Sequence, residues 1–128
     1  MKAKPYKRQD DGVTYIPCKP EDATHLEFIM PGPMGRIILP VQTRGTRSGT
    51  GNWTWNGDTE KPTLKPSILH RGTFPITDDE IRRLHAGEKL TPRPLICHSW
   101  VNDGTAQFLP DCSHELAGAT VDLLEIDP

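Results

Sequence analysis

Two of the three cysteines and two of the five histidines fall within one short stretch, Cys97-His98-Ser99 through Asp111-Cys112-Ser113-His114. Between them lies Asp103-Gly104, a pair that favours a type I′ hairpin turn. Setting the turn there pairs Asn102 with Thr105, Trp100 with Gln107 and His98 with Leu109. Cys97 then falls level with Pro110, close to Cys112. The ends of one ribbon therefore bring Cys97, Cys112 and His114 together. Sulfur and imidazole ligands in such a cluster suit zinc, at about 2.3 Å for sulfur and about 2.0–2.1 Å for nitrogen. His98 is the nearest fourth ligand, although strand alternation points it away from Cys97 unless a bulge re-aims it. His70, Cys18 or water are the other choices for that position.

Two further readings of the cluster stay open. The cysteines can be small buried hydrophobes beside hydrogen-bonded histidines. Alternatively Cys97 is a nucleophile, its thiolate favoured by His98 or His114, with Asp111 orienting the ring. A zinc ion with three protein ligands would hold an activated water, with Glu115 or Asp111 as base. His114-Glu115 opens no H-E-x-x-H motif, because position 118 is Gly.

A second chemistry-bearing segment is Trp53-Thr54-Trp55-Asn56-Gly57-Asp58. Tryptophans two apart share one face of a strand, either as core or as a stacking platform for a base or other ligand. In the platform reading Trp53, Trp55, Asn56 and Asp58 bind ligand. The 43–52 loop, with Arg44 and Arg47, would then contribute to a nucleic-acid-binding module.

The elements that must position these groups are mostly strands. Only 34% of residues are apolar, and 13 prolines and 11 glycines interrupt the chain often enough to favour short strands over helices. The expected fold is a β-rich α+β domain, a small mostly antiparallel sheet or open barrel, with the metal or thiol cluster at the base of a hairpin. Residues 1–12 read as a flexible basic tail and 13–128 as a single domain. Apolar segments at 24–30 and 36–41, joined by a Pro/Gly-rich turn, form a hairpin. The helical signal runs over about 78–86: Thr77 and Glu80 make a capping box, Gly87 stops the helix, and Ile81, Leu84 and His85 form a narrow stripe that would pack on the sheet.

A net charge of −2 excludes a strongly acidic DNA mimic and a dedicated phosphate-backbone binder. No apolar run is long enough for a membrane span, and no signal peptide is evident. An odd number of cysteines fits a reducing cytosol.

Several motifs together resemble a family of small domains of unknown function encoded mainly by phages and prophages, some of whose members carry the label ammonia monooxygenase. The residues that carry the likeness are Trp53 to Asp58, Lys61-Pro62-Thr63, Pro66-Ser67, Cys97-His98-Ser99, Asp103-Gly104, Phe108-Leu109, Asp111-Cys112, His114, Leu116-Ala117-Gly118 and Thr120 to Leu123. They cover roughly residues 50–70 and 95–124. The monooxygenase label conflicts with the absence of a span and of a copper constellation. The resemblance implies action in the cytoplasm of an infected bacterium. Combined with the ligand cluster, it points to a zinc-stabilised phage accessory module that binds a host bacterial protein. A small zinc- or cysteine-dependent hydrolase or transferase is the alternative, and the nucleic-acid module is a third.

Overall fold

The computed structural model describes residues 1–43 and 52–126. Among them, nine strands form one open sheet in the order β2-β1-β3-β4-β5-β6-β7-β8-β9. The strands are β1 (Ala3–Arg8), β2 (Tyr15–Pro17), β3 (His25–Met30), β4 (Gly35–Gln42), β5 (Trp53–Trp55), β6 (Leu64–Thr73), β7 (Pro94–Asn102), β8 (Thr105–Phe108) and β9 (Thr120–Asp122). Every pairing is antiparallel except β4 with β5. The architecture is the expected β-rich, mostly antiparallel sheet, and it does not close into a barrel. Beyond β9 the chain returns to β3, where the Leu124 N–H reaches the Ile29 carbonyl at 3.1 Å.

One departure lies at the N-terminus. Residues 3–8, expected within a flexible tail, form β1 between β2 and β3, with Ala3 fully buried opposite Phe28. Alternation explains the first part of it: Ala3 and Pro5 turn inward between the half-buried Lys4 and Tyr6, and the end of the strand, Lys7 and Arg8, stays in water.

The core lies on one side of this sheet and is built from alternate strand residues. Leu26, Phe28, Met30, Val41, Trp55, Leu64, Val101 and Phe108 are each 1% exposed or less. The central hairpin follows the turn chemistry. Asp103 (φ 50°) and Gly104 (φ 78°) both occupy the left-handed region that a type I′ turn requires. The register then runs Asn102 opposite Thr105, Trp100 opposite Gln107 and Ser99 opposite Phe108.

Between β6 and β7 the chain makes an excursion that carries the helix, α1 (Asp78–His85), capped by the Thr77/Glu80 box. Its stripe does not pack as expected. No residue of α1 is buried, and Ile81 and Leu84 are 42% and 40% exposed. The helix projects from the end of the β6–β7 pair instead of lying across the sheet. No helix among the described residues is long and apolar enough to cross a membrane.

Candidate active site

The site is built on the paired strands β6 and β7. Along β7 the side chains alternate: Leu95, Cys97, Ser99 and Val101 are buried, while Ile96, His98 and Trp100 face the other way. Cys97 and His98 thus lie on opposite faces, as strand geometry demands. On β6 the pairing with β7 shifts register between Leu64 and Ile68, and the Lys65–Pro66 peptide within that interval is cis. Past the shift, Ile68 sits opposite Ser99 and Leu69 opposite His98. Ser67 precedes the inward-facing Ile68, so alternation places it on the face that carries His98, and Ser67 Oγ lies 3.0 Å from His98 Nε2.

The third group comes from the segment that follows β8. The Leu109 N–H donates to the His98 carbonyl at 2.9 Å, and the Cys112 N–H then donates to the Leu109 carbonyl at 3.2 Å, closing a turn around Pro110 and Asp111. The turn brings the Asp111 carboxylate to His98 Nδ1, with Oδ2 at 3.0 Å and Oδ1 at 3.3 Å. Ser113 pins the segment to β7. Its Oγ accepts from the Ile96 N–H at 2.7 Å and donates to the Pro94 carbonyl at 2.9 Å, while its own N–H donates to the Ile96 carbonyl.

The direction of the protons follows from the partners. An ionised carboxylate only accepts, so Nδ1 of His98 carries the hydrogen and donates it to Asp111. In the neutral ring Nε2 is then the acceptor, and the Ser67 hydroxyl donates to it. A hydroxyl bonded to an imidazole that is oriented by a carboxylate is the hydrogen-bond pattern of an activated serine nucleophile. His98 is 24% exposed and Asp111 56%, so the site opens on solvent.

The residues expected to form a metal or thiol cluster are distributed differently. Cys97 is buried, and loss of solvation, together with the nearby Cys112, pushes its thiol up to about 11. A thiol raised in this way carries little thiolate near neutrality, and the thiolate is the reactive form. Cys112 is buried against the backbone of His98. His114 is also buried, standing edge-on to Phe108 with centroids 4.9 Å apart, and its Nδ1 accepts from the Leu116 N–H. Burial lowers its pKa. The His98 ring, the expected fourth ligand, is committed to Ser67 and Asp111 on the opposite face. Glu115 and His70 are exposed, and Cys18 lies near β1, its N–H on the Pro5 carbonyl. Among the described residues, no group of three or more His, Cys, Asp or Glu side chains is arranged to hold a metal ion. The expected metal-binding cluster is corrected accordingly.

The tryptophan segment is accounted for structurally. Trp55 is buried and donates from Nε1 to the Asp58 carbonyl; Trp53 is half-buried, its Nε1 3.5 Å from the Ser67 carbonyl. Asn56 Oδ1 accepts from the Asp58 and Thr63 N–H groups, and Asp58 Oδ1 from those of Glu60 and Lys61. These last two bonds hold the Asp58 carboxyl below its usual range. Asn56 and Asp58 thus tie the loop that leads into β6. Arg44 and Arg47 lie outside the described residues.

A family model described as the bacterial ubiquitination-like system serine protease, BubE, matches residues 2–109. The chain belongs to the BubE family. The matched span contains Ser67 and His98 and ends shortly before Asp111. Neither the curated proteins nor the solved structures give a match. The BubE description replaces the expected phage accessory module: it names a bacterial system and a serine protease, not a phage protein or a zinc-dependent binder. The description and the hydrogen-bonded geometry meet at Ser67, the residue that sequence reasoning missed. Ser67 lies in no G-x-S-x-G turn and is separated from His98 by the whole helical excursion. The available signals were the Pro66-Ser67, Cys97-His98 and Asp111-Cys112 motifs in one chain, together with the alternation that turns His98 away from Cys97.

Proposed function

We propose that this chain is a serine hydrolase that cleaves acyl bonds of protein substrates, with Ser67 as nucleophile, His98 as general base and acid, and Asp111 as the group that orients and stabilises the His98 ring. The continuous hydrogen-bonded chain from Ser67 through His98 to Asp111 carries the proposal. Ser67 Oγ attacks the substrate carbonyl carbon and its proton passes to His98 Nε2. The resulting imidazolium is stabilised by Asp111, and the same proton is then delivered to the departing amine. Water repeats the sequence on the acyl-enzyme, donating its proton to His98 and releasing the acid while Ser67 recovers its own.

The surroundings support a protein substrate. Leu69 and Trp100 lie on the same face as His98, directly across the pair and two residues along, and are 47% and 40% exposed. Trp100 borders a recess of about 260 Å³ that is also lined by Thr63, Lys65 and Gln107. An open face of this kind accepts an extended chain more readily than an enclosed small molecule. A protein partner also accords with the BubE family's placement in a ubiquitination-like system.

A fluorophosphonate probe tests the assignment, because it forms a covalent bond only with an activated serine. The expected result is one adduct per chain, mapped to Ser67 by mass spectrometry and lost in folded Ser67→Ala and His98→Ala proteins. An unreactive folded wild type, or an adduct that persists in Ser67→Ala, overturns it.

A further inference from the structure

His98 is held from two sides by consecutive residues. Asp111 grips the ring, and Cys112 grips the backbone. Antiparallel partners such as His98 and Leu109 ordinarily exchange two N–H···O bonds. Only one of them is made here: the Leu109 N–H donates to the His98 carbonyl at 2.9 Å. The Leu109 carbonyl, which should receive the His98 N–H, has turned away to accept from the Cys112 N–H at 3.2 Å. That diversion creates the turn that delivers Asp111, and it leaves the His98 N–H without its ladder partner. Cys112 repairs the loss. Its Sγ accepts from the His98 N–H at 3.2 Å and donates to the His98 carbonyl at 3.1 Å. The carbonyl has two lone pairs and takes both the Leu109 N–H and the thiol.

We infer that the Cys112 thiol is a positioning residue for catalysis: it replaces the missing strand partner of His98 and sets the height of the imidazole between Ser67 and Asp111. The inference rests on the serine-hydrolase reading above. A partly buried backbone N–H needs an acceptor. The Leu109 carbonyl is taken by the Cys112 N–H, the Asp111 carboxylate is committed to the ring, and the acceptor found at the His98 N–H is the Cys112 sulfur. Sulfur suits the task because one atom both accepts and donates, and its long bond to carbon reaches both backbone groups from the neighbouring turn. The identity of residue 112 therefore follows from that of residue 111. A turn tight enough to aim the carboxylate at Nδ1 removes a ladder bond, and the next side chain restores it.

The competing account makes Cys112 a mere filler of the core, for which shape alone matters. Cys112→Val is close in volume and neither donates nor accepts, whereas Cys112→Ser does both. Two readouts separate the accounts. The first is hydrogen exchange at the His98 amide in the full-length protein, which does not depend on any chemistry at Ser67. Protection of that amide should fall about tenfold or more in Cys112→Val and be retained in Cys112→Ser, with the thermal midpoint recorded for both. The second is the rate of fluorophosphonate labelling at Ser67. Cys112→Val should slow it by about 10- to 100-fold, the scale expected when a reacting group is displaced by a fraction of an ångström to an ångström. Cys112→Ser should recover the rate to within about threefold. If Cys112→Val fails to fold, Cys112→Ala takes its place in both measurements.

Equal protection in wild type and the Val or Ala variant overturns the inference while leaving the triad intact, and so does equal slowing by the Ser and Val replacements. Loss of amide protection in a protein whose wild type never reacts with the probe places the failure in the hydrolase reading, and the catalytic role of Cys112 falls with it.

Discussion

The two faces of strand β7 carry similar inventories and different physics. Toward solvent, His98 is bonded on both ring nitrogens, and the chain Ser67–His98–Asp111 runs without a gap. Toward the core, Cys97, Ser99 and, beyond the strand, His114 are equally polar but do not form such a chain. Among the described residues Ser99 Oγ and His114 Nε2 have no hydrogen-bond partner, and burial pushes the Cys97 thiol up to about 11. Residues one apart in sequence thus meet opposite demands. The solvent face can keep polar groups that must lose and regain protons, since water and Asp111 stabilise each charge state. The core face tolerates polar atoms only in their neutral form.

The sharpest way to break this contrast is to disable the outer face without disturbing the fold. Asp111→Asn keeps the shape of a side chain that is 56% exposed but removes the charge and the tautomer control. Ser67 labelling and hydrolysis should fall by about 10³–10⁴-fold, with the thermal midpoint nearly unchanged. A variant as active as wild type would mean that Asp111 does not orient His98.

The core face should respond in the opposite sense. Cys97→Ala should leave probe reactivity within about threefold of wild type and lower stability by about 1–2 kcal/mol, read by urea denaturation. If reactivity vanishes while the fold persists, the chemistry belongs to the thiol face after all.

A finer test uses protons. Burial lowers the His114 pKa in the folded state, so as pH falls the unfolded chain takes up that proton first. This contribution to stability is complete above about pH 6.5 and is lost as pH falls from there toward the folded-state value. His114→Phe removes it, together with a buried nitrogen that has no partner among the described residues. The variant should lose less stability than wild type between pH 7 and pH 5. An identical decline in both proteins would refute the assignment. The smallest effect belongs to the helix. Ile81→Ser, at a 42% exposed position of α1, should change stability by no more than about 0.5 kcal/mol. A larger loss would show that the stripe is covered by something else.

What was legible in the sequence is local. Asp103-Gly104 specified the hairpin turn and, through it, the pairing from Asn102–Thr105 to Ser99–Phe108, because turn type sets register. Thr77, Glu80 and Gly87 bounded the helix for the same reason. The same alternation also turned His98 away from Cys97, yet residue type pulled the reading toward sulfur and a metal. Ser67 was hidden because its partnership with His98 depends on how β6 pairs with β7 across the helical excursion, including the register shift between Leu64 and Ile68 within which Ser67 falls. A period-two pattern gives the face of each residue but not which distant strand it pairs with, and the nearby prolines read only as edge markers. The tail was misread at Ala3 and Pro5, where burial rests on pairing with β3 across a long stretch of chain.

The excursion from Phe74 to Arg93 divides the proposed triad between two lengths of chain: Ser67 precedes it, and His98 and Asp111 follow it. Its neck is closed by the Phe74 N–H on the Arg93 carbonyl and by the Arg93–Glu80 ion pair, while its far end, Gly87 and Glu88, is exposed. On the serine-hydrolase proposal, separating the polypeptide there should yield two fragments, each inert by itself, that regain hydrolysis only when β6 and β7 zip together. On that proposal the fold contains the plan of a split enzyme, in which reassembly of a sheet would be read out as bond cleavage.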